Sequence, residues 1–268
     1  MEDFMKRTLF YSLLTMLIIN GTAFAHIPFV TTYDKCWVRI PAPMEKSIAI
    51  YASFERKGDV DKAYFRLDDN DFNSDITMTG MVEGQEGDQE IPLVTTGAGG
   101  EPGRRLHIGS LVPGCETYAG IMPTIAIVGP VQESLPAYNG SASLPDAVDI
   151  AADEGVFILN NTTQGPLWYE KFTYKSYYDQ NNADLTITKS GTYTIYIWDS
   201  ASNTGDYVLE VGYIEKFGFE EILQSMFWIN HLVQDGEISC APCKDQLEVI
   251  DGPNPTFQEM IDTFSEVF

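Results

Sequence analysis

Hydrophobic residues alternate with polar ones through most of the chain after Lys35, and this period of two constrains the fold more than any other feature. Successive side chains of a β-strand point to opposite faces, so the alternation predicts short strands with one buried face. Valine, isoleucine, threonine and tyrosine dominate these stretches, and glycine, asparagine, aspartate and proline interrupt them. We predict strands over residues 36–40, 47–54, 62–67, 75–82, 91–95, 118–122, 124–128, 156–159 and 170–174.

The clearest pair of strands covers residues 192–199 and 206–213. One face of each strand is apolar, and these faces contain Tyr193, Ile195, Ile197, Tyr207, Leu209, Val211 and Tyr213. Turn-forming residues lie between the two strands, so we predict a hairpin with one buried face. Many short strands without intervening helices favour a mainly β fold, an antiparallel β-sandwich of jelly-roll type, over a parallel sheet.

Two irregular stretches interrupt the strands, and we expect loop insertions near residues 96–110 and 129–165. Beyond Lys216 the hydrophobic period becomes helical. Two short helices are predicted there, with apolar stripes at Phe219, Ile222, Leu223, Met226, Ile229 and Val233 and at Phe257, Met260, Ile261 and Phe264. The expected organisation is a β-sandwich domain over residues 26–215 and a helical C-terminal tail over residues 216–268. The helices either cover the edge or open end of the sandwich or dock on a partner.

Residues 1–25 have the pattern of a secretory signal peptide. Two basic residues precede an apolar run that ends in Ala-Phe-Ala at residues 23–25, a small-x-small cleavage site. The run is shorter than the roughly 20 apolar residues that a membrane-spanning helix needs. We therefore expect cleavage before His26, localisation in the periplasm or outside the cell, and no membrane span.

The chain has a formal net charge of −23. Such a charge repels phosphate backbones and anionic lipids, which argues against nucleic-acid and membrane-surface binding. Two interpretations remain open, namely a solvated acidic surface that keeps the protein soluble and a surface that binds divalent cations.

Four cysteines, Cys36, Cys115, Cys240 and Cys243, follow the predicted cleavage site. In an oxidising compartment an even number of cysteines predicts two disulfides, and four cysteines allow three pairings. We favour pairing Cys36 with Cys115 and Cys240 with Cys243. The sequence around the last two resembles a thioredoxin active site, but too little chain follows for the rest of that fold.

Two pairs of segments combine aspartates, glycines and aromatic residues at strand entries. GDVD at residues 58–61 is followed by YFRL at 64–67, and SGTY at 190–193 is followed by TGDYVLEV at 204–211. Aspartates in the first motif can bond the backbone of a tight turn, and glycines in the second relieve turn strain beside half-buried strands.

Together these segments resemble the strand signatures of bacterial pre-peptidase C-terminal domains, the β-sandwich modules attached to many secreted proteases. That module is compact, so the distance between the two pairs implies a large insertion in this chain. Family members are mostly accessory or binding modules, some of which bind calcium, collagen or sugars. The resemblance implies a binding or structural role, and it transfers no catalytic residue.

His26 is a candidate copper ligand because it would become the first residue after cleavage. A terminal histidine offers its free amine and a ring nitrogen, a grip that favours copper(II), and one further histidine completes a T-shaped set of three nitrogens. Only His107 and His231 can supply that nitrogen. The arrangement resembles the histidine brace of copper-dependent polysaccharide oxygenases and of periplasmic copper carriers. The alternative is an accidental first residue.

The stretch containing Asp69, Asp71, Asn73 and Asp75 places oxygen-bearing side chains at alternate positions. Such oxygens can surround a hard cation such as calcium, although the glycine and glutamate of the helix-loop-helix calcium motif are missing. A polar turn between strands explains the same pattern.

These features favour an exported, non-enzymatic β-sandwich protein that binds a ligand or protein partner at the cell envelope or outside the cell. The first alternative is a periplasmic copper-binding protein that uses the mature N-terminal histidine. The second is a copper-dependent polysaccharide oxygenase. Serine-hydrolase and zinc-protease motifs of the Gly-x-Ser-x-Gly and His-Glu-x-x-His types do not occur in the sequence.

Overall fold

The computed structural model describes residues 27–30, 37–39, 47–72, 79–82, 89–92, 94–96, 102–114, 118–170 and 175–212. These ranges contain a single-turn 3-10 helix at Asp69–Phe72 and the following strands, numbered in chain order. The strands are β1 (Ile27–Val30), β2 (Trp37–Arg39), β3 (Ile48–Phe54), β4 (Val60–Leu67), β5 (Thr79–Val82), β6 (Gln89–Pro92), β7 (Val94–Thr96), β8 (Pro102–Pro113), β9 (Pro123–Pro130), β10 (Glu154–Leu159), β11 (Leu167–Glu170), β12 (Lys175–Asp179), β13 (Ala183–Ile187), β14 (Gly191–Asp199) and β15 (Gly205–Val211).

The fold is mainly antiparallel β, as the alternation predicts, and its strands form two sheets and a ribbon. The larger sheet has the order β1-β3-β15-β8-β12-β11, with β7 and β13 also paired to β8. The smaller sheet has the order β10-β9-β14-β4-β2, and β5 pairs with β6 in a separate ribbon. Two pairings, β1 with β3 and β2 with β4, are parallel.

One hydrophobic core draws side chains from both sheets. The inward residues of β3, β8, β13 and β15 in the larger sheet meet those of β4, β9 and β14 in the smaller sheet. Phe65, Leu106, Ile108 and Tyr193 are completely buried there. Because every second residue of these strands is apolar and buried, the core follows directly from the period of two.

Two smaller apolar clusters lie on the opposite faces of the sheets. The first, called the Tyr51 patch, lies on the outer face of the larger sheet and consists of Ala49, Tyr51, Leu111, Tyr177 and Val208. The second, called the Trp198 patch, lies on the outer face of the smaller sheet and consists of Ala126, Val128, Val156, Tyr196 and Trp198. Residues of the irregular segment 131–153 pack on the Trp198 patch.

The predicted hairpin is wrong, although both of its strands exist. β14 pairs with β4 and β9 in the smaller sheet, whereas β15 pairs with β3 and β8 in the larger sheet. Residues 200–204 therefore cross between the sheets. Tyr193 and Tyr207 both point into the core, as expected. Alternation reports which face of a strand is buried, and it does not identify the partner strand.

Other predictions need correction. Residues 118–122 form a turn instead of a strand, and β8, the longest described strand, occupies most of the loop expected near residues 96–110. The alternation does not reveal β8 because glycine, arginines and proline interrupt its apolar positions. The stretch expected to be irregular near 129–165 does contain the irregular segment 131–153, followed by β10.

The predictions for residues 1–25 and 216–268 lie outside the described residues. The predicted signal peptide and the two predicted helices therefore stay predictions. Among the described residues, no helix has the length and apolar character needed to cross a bilayer.

Candidate functional site

The two pairs of motif segments are neighbours in space. β4, which contains most of the first pair, forms a ladder with β14, which contains most of the SGTY segment, whereas the TGDYVLEV segment lies on β15 in the larger sheet. The hydroxyl of Tyr207 on β15 donates a hydrogen bond of 2.6 Å to Oδ2 of Asp61, although the two residues are 146 positions apart. This bond joins the two sheets at one end of the core.

Asp61 is a buried acid. It points to the same side of β4 as the core residues Ala63 and Phe65. The pKa of the Asp61 carboxyl is raised to about 7, mainly by burial; the Tyr207 hydrogen bond lowers it, and the Asp59 and Glu55 carboxylates raise it. The carboxyl therefore titrates between its neutral and its charged form near neutral pH.

The turn before Asp61 is held by Asp59. Its Oδ2 accepts a hydrogen bond of 2.5 Å from the Arg56 amide, and its amide donates to the Arg56 carbonyl at 3.1 Å. Gly58 has a φ of 82°, a conformation that glycine adopts without strain. The expected backbone role is thus seen for Asp59, whereas Asp61 bonds a tyrosine across the core.

Two further buried aspartates hold the crossover between β14 and β15. Asp199 accepts hydrogen bonds from the amides of Met122 at 2.8 Å and Asn203 at 2.7 Å. Asp206 accepts a hydrogen bond of 3.1 Å from the Tyr118 hydroxyl. Each of these carboxylates accepts hydrogen bonds from donors next to the crossover, so the two aspartates stabilise the connection between the sheets.

A different polar group lies on the outer face of the larger sheet, and we call it the His107 group. His107 lies between the core residues Leu106 and Ile108 on β8, so its ring projects from the opposite face. Its Nδ1 lies 2.8 Å from Oδ1 of Asp184, the residue directly opposite on β13. The His107 side chain is 18% exposed and that of Asp184 is 54% exposed, so solvent reaches the pair.

Gly109 leaves a notch beside this imidazole. A Cβ atom at Gly109 would lie 3.5 Å from His107 Nε2 and 3.4 Å from Oε2 of Glu210, its neighbour on β15. The imidazole and the Glu210 carboxylate therefore border the same small space. A further carboxyl, Asp179, has its pKa raised by burial, and His107 opposes that increase. His107, Asp179, Asp184, Glu210 and Gly109 together form the His107 group.

The sequence identified His107, but it did not identify the carboxylates around it. With 39 acidic residues in the chain, composition cannot select three of them. For Glu210 alone, the sequence indicated a position on the outer face of a strand, because this residue lies between the apolar residues Leu209 and Val211. Register decided the rest, because β13 and β15 flank β8 on its two sides.

The other predicted copper ligands, His26 and His231, lie outside the described residues, so the copper site stays a prediction. The backbone of Ile27 lies in one cross-strand row with Ile48, Val211 and Ile108. Three strand spacings, about 14 Å, separate the ends of that row. Within the described ranges, no group of three or more His, Cys, Asp or Glu side chains is arranged to hold a metal ion.

Two of the four predicted calcium ligands are described. Asp69 and Asp71 lie in the 3-10 helix, where Oδ2 of Asp71 accepts a hydrogen bond of 2.7 Å from the Asp68 amide. Arg104 Nε donates to the Asp71 carbonyl. Asn73 and Asp75 lie outside the described residues, as do all four cysteines, so the calcium site and the disulfides stay predictions.

The two polar sites, Asp61 with Tyr207 inside the core and the His107 group outside it, differ most in their access to solvent. Comparison with known proteins finds no matching family model and no matching curated protein.

Proposed function

We propose that the protein is an exported, non-enzymatic β-sandwich that binds a cationic ligand, foremost a divalent transition metal, at the His107 group. The shared core of the two sheets supports a sandwich of jelly-roll type. The signal-peptide pattern of residues 1–25 supports export. The resemblance to pre-peptidase C-terminal domains supports a binding role.

The observation that carries the proposal is the contact between His107 Nδ1 and the Asp184 carboxylate at 2.8 Å. A carboxylate at Nδ1 favours the tautomer with the proton on that nitrogen, so the lone pair lies on Nε2. Histidines that bind metals commonly have such a carboxylate behind the ring, which orients the ring and makes the ligand nitrogen more basic.

The surroundings of Nε2 suit a cation. Glu210 brings a carboxylate to the notch left by Gly109, and Asp179 lies close enough for its pKa to respond to His107. The net charge of −23 raises the local concentration of cations around the whole molecule. Because no three His, Cys, Asp or Glu side chains of the described residues are arranged around one ion, His107 and Glu210 would be the protein ligands of a zinc(II) or copper(II) ion, and water would complete its coordination sphere.

Calorimetric titration of the purified protein with zinc(II) and copper(II) tests the proposal. We expect His107→Gln to weaken binding at least about tenfold, and Asp184→Asn to weaken it about tenfold through loss of ring orientation. Asp146→Asn removes the same charge from an exposed position on the segment that packs on the other sheet, and we expect unchanged affinity. Equal affinities for all four proteins would refute the His107 group as the site.

A second candidate is the copper-binding protein that combines His26 with His107, because the Nδ1 contact of His107 presents Nε2 as the third nitrogen. N-terminal sequencing of the mature protein and a variant with one residue added before His26 test it. Copper affinity that falls on adding that residue supports the brace, and unchanged affinity rejects it. For the oxygenase alternative, the required observation is peroxide-driven release of oxidised sugars from a polysaccharide.

A further inference from the structure

The side chains of the Tyr51 patch are as buried as core residues, although they lie on the outer face of the larger sheet. Its residues alternate with core residues along β3, β8 and β15, so they project from the outer face of the larger sheet. Nevertheless its five members are only 2–6% exposed: Ala49, Tyr51, Leu111, Tyr177 and Val208. An outer face of a sheet becomes buried only where further atoms lie on it.

The described residues supply part of this cover. Trp168 on β11 packs against the patch. The patch extends over the four adjacent strands β3, β15, β8 and β12, which span about 14 Å between the outermost axes. A tryptophan side chain buries at most about 250 Å², so a longer element is needed to cover this width.

The smaller sheet shows how the chain covers such a face. Leu144, Val148 and Ile150 of segment 131–153 pack on the Trp198 patch. The chain therefore uses one of its own segments as the cover there. For the larger sheet, only a few residues separate β2 from β3, whereas a long sequence with an apolar helical stripe follows β15.

The chain leaves the larger sheet next to the Tyr51 patch. Residue Gly212, directly after β15, has a φ of 92°, which ends the extended strand. β15 lies between β3 and β8, and the Gly212 amide donates to the His107 carbonyl, so the chain leaves at the margin of the patch, beside His107. The sequence beyond it contains the apolar helical stripe from Phe219 to Val233.

We propose that residues 219–233 form a helix whose apolar stripe packs on the Tyr51 patch. A helix of this length is about 22 Å long, enough to cross the four strands. Packing a helical stripe against an apolar sheet face removes both surfaces from water. This places the helix on the face of the sheet, whereas the sequence pattern left open the edge or open end of the sandwich and docking on a partner. The inference rests on other observations than the cation site does, although the helix would lie beside that site, because Glu210 is directly opposite the patch residue Ala49.

Hydroxyl-radical footprinting of the full chain tests the contact. Met226→Asp puts a charge in the centre of the stripe, and Gln224→Asp puts the same charge about 200° around the helix, on the opposite side. We expect Met226→Asp to raise the oxidation of Tyr51 and Tyr177 severalfold, and Gln224→Asp to leave it at the wild-type level. Tyr196 and Trp198 are the internal control, because segment 131–153 covers them. Unchanged oxidation of Tyr51 and Tyr177 in Met226→Asp would overturn the proposal.

A second measurement covers the case in which Met226→Asp unfolds the protein and exposes Tyr196 and Trp198 as well. A photo-reactive benzoylphenylalanine at position 168, at the rim of the patch, is cross-linked in the otherwise wild-type chain. Cross-links to residues 216–235 of the same molecule support the proposal. Cross-links to residues 1–46, to a second copy of the chain, or to no part of 216–235 overturn it.

Discussion

Two stacked pairs of phenylalanine and tyrosine lie in the core, and they differ in what their hydroxyl groups contact. Phe54 and Tyr207 stack with ring centroids 4.3 Å apart, and the Tyr207 hydroxyl donates to the Asp61 carboxyl. Phe65 and Tyr193 stack at 5.4 Å, and the Tyr193 hydroxyl donates to a backbone carbonyl and accepts from the Gln132 amide. The aromatic packing is alike, but only the first pair includes a titratable partner.

This difference shows where the fold is sensitive to pH. Burial raises the pKa of Tyr193 to about 12, so the second pair stays neutral at ordinary pH. Burial raises the pKa of Asp61 to about 7, so the first pair gains a negative charge within the physiological range. A buried hydroxyl needs a partner in both cases, and the identity of that partner decides whether the site responds to protons.

The largest expected effect is on the pH dependence of stability. Because the pKa of Asp61 is higher in the folded chain than its usual value of 3.8, the folded state binds its proton more tightly. The contribution of this group therefore favours folding at low pH and is lost as the pH rises through about 7. Relative to Asp61→Asn, we expect the wild-type free energy of unfolding to fall by up to about 4 kcal/mol as the pH rises from 3.8 to about 7.

Urea unfolding of the wild type and Asp61→Asn from about pH 4 to pH 8 measures this effect. Asparagine has nearly the size of aspartate and still accepts the Tyr207 hydrogen bond. Other carboxylates contribute equally to both proteins, so the difference between the two curves isolates Asp61. Parallel curves would show that Asp61 is not the titrating group of the first pair.

A smaller effect separates the two hydroxyl groups. Tyr207→Phe keeps the stacked ring and removes the donor, and we expect a loss of about 2 kcal/mol at pH 8, where the partner is charged. The loss is smaller at pH 5, because removing the bond also raises the pKa of Asp61 and the protonated acid tolerates burial better. The measurement is urea unfolding at the two pH values.

Tyr193→Phe is the matched control for this prediction. It removes a hydroxyl with neutral partners, so we expect about 1 kcal/mol of destabilisation, equal at both pH values. If Tyr193→Phe showed the larger dependence on pH, the contrast between the two pairs would be wrong.

The smallest expected effect concerns the hydrogen bond outside the core. Asp184 is more than half exposed, so its bond with His107 contributes little to folding. We expect Asp184→Asn to change the free energy of unfolding by less than about 1 kcal/mol, even though it weakens cation binding. Thermal unfolding without added metal checks the first part. A loss as large as that of Tyr207→Phe would make the pair a structural element instead of a binding element.

Alternation predicted strands well where an alternating stretch was also bounded by turn-forming residues. β3, β4, β9 and β10 lie where the pattern placed them, within a few residues at their ends. β12 and β13 were missed: the two tyrosines of β12 are adjacent and do not alternate with polar residues, and β13 does alternate but is only five residues long. Strands of this kind are stabilised by pairing with β8, a contact that no local window contains.

The candidate sites were likewise predictable only where a local feature of the sequence marked their residues. Sequence motifs drew attention to Asp61 and to the histidines, because these residue types are uncommon or stand in recognisable turns. Tyr207 was expected only as an apolar strand residue, and Asp184 and Glu210 were not selected at all. Each gained its role through a partner on a different strand.

By itself the sequence determined the mainly β class and the buried faces, because side-chain alternation along a strand is a local property of the backbone. The tertiary structure decided that β14 and β15 belong to different sheets, that Tyr207 meets Asp61 and that Asp184 meets His107. These contacts depend on strand order and register, which emerge only when non-local pairing and burial of both sheets are satisfied together.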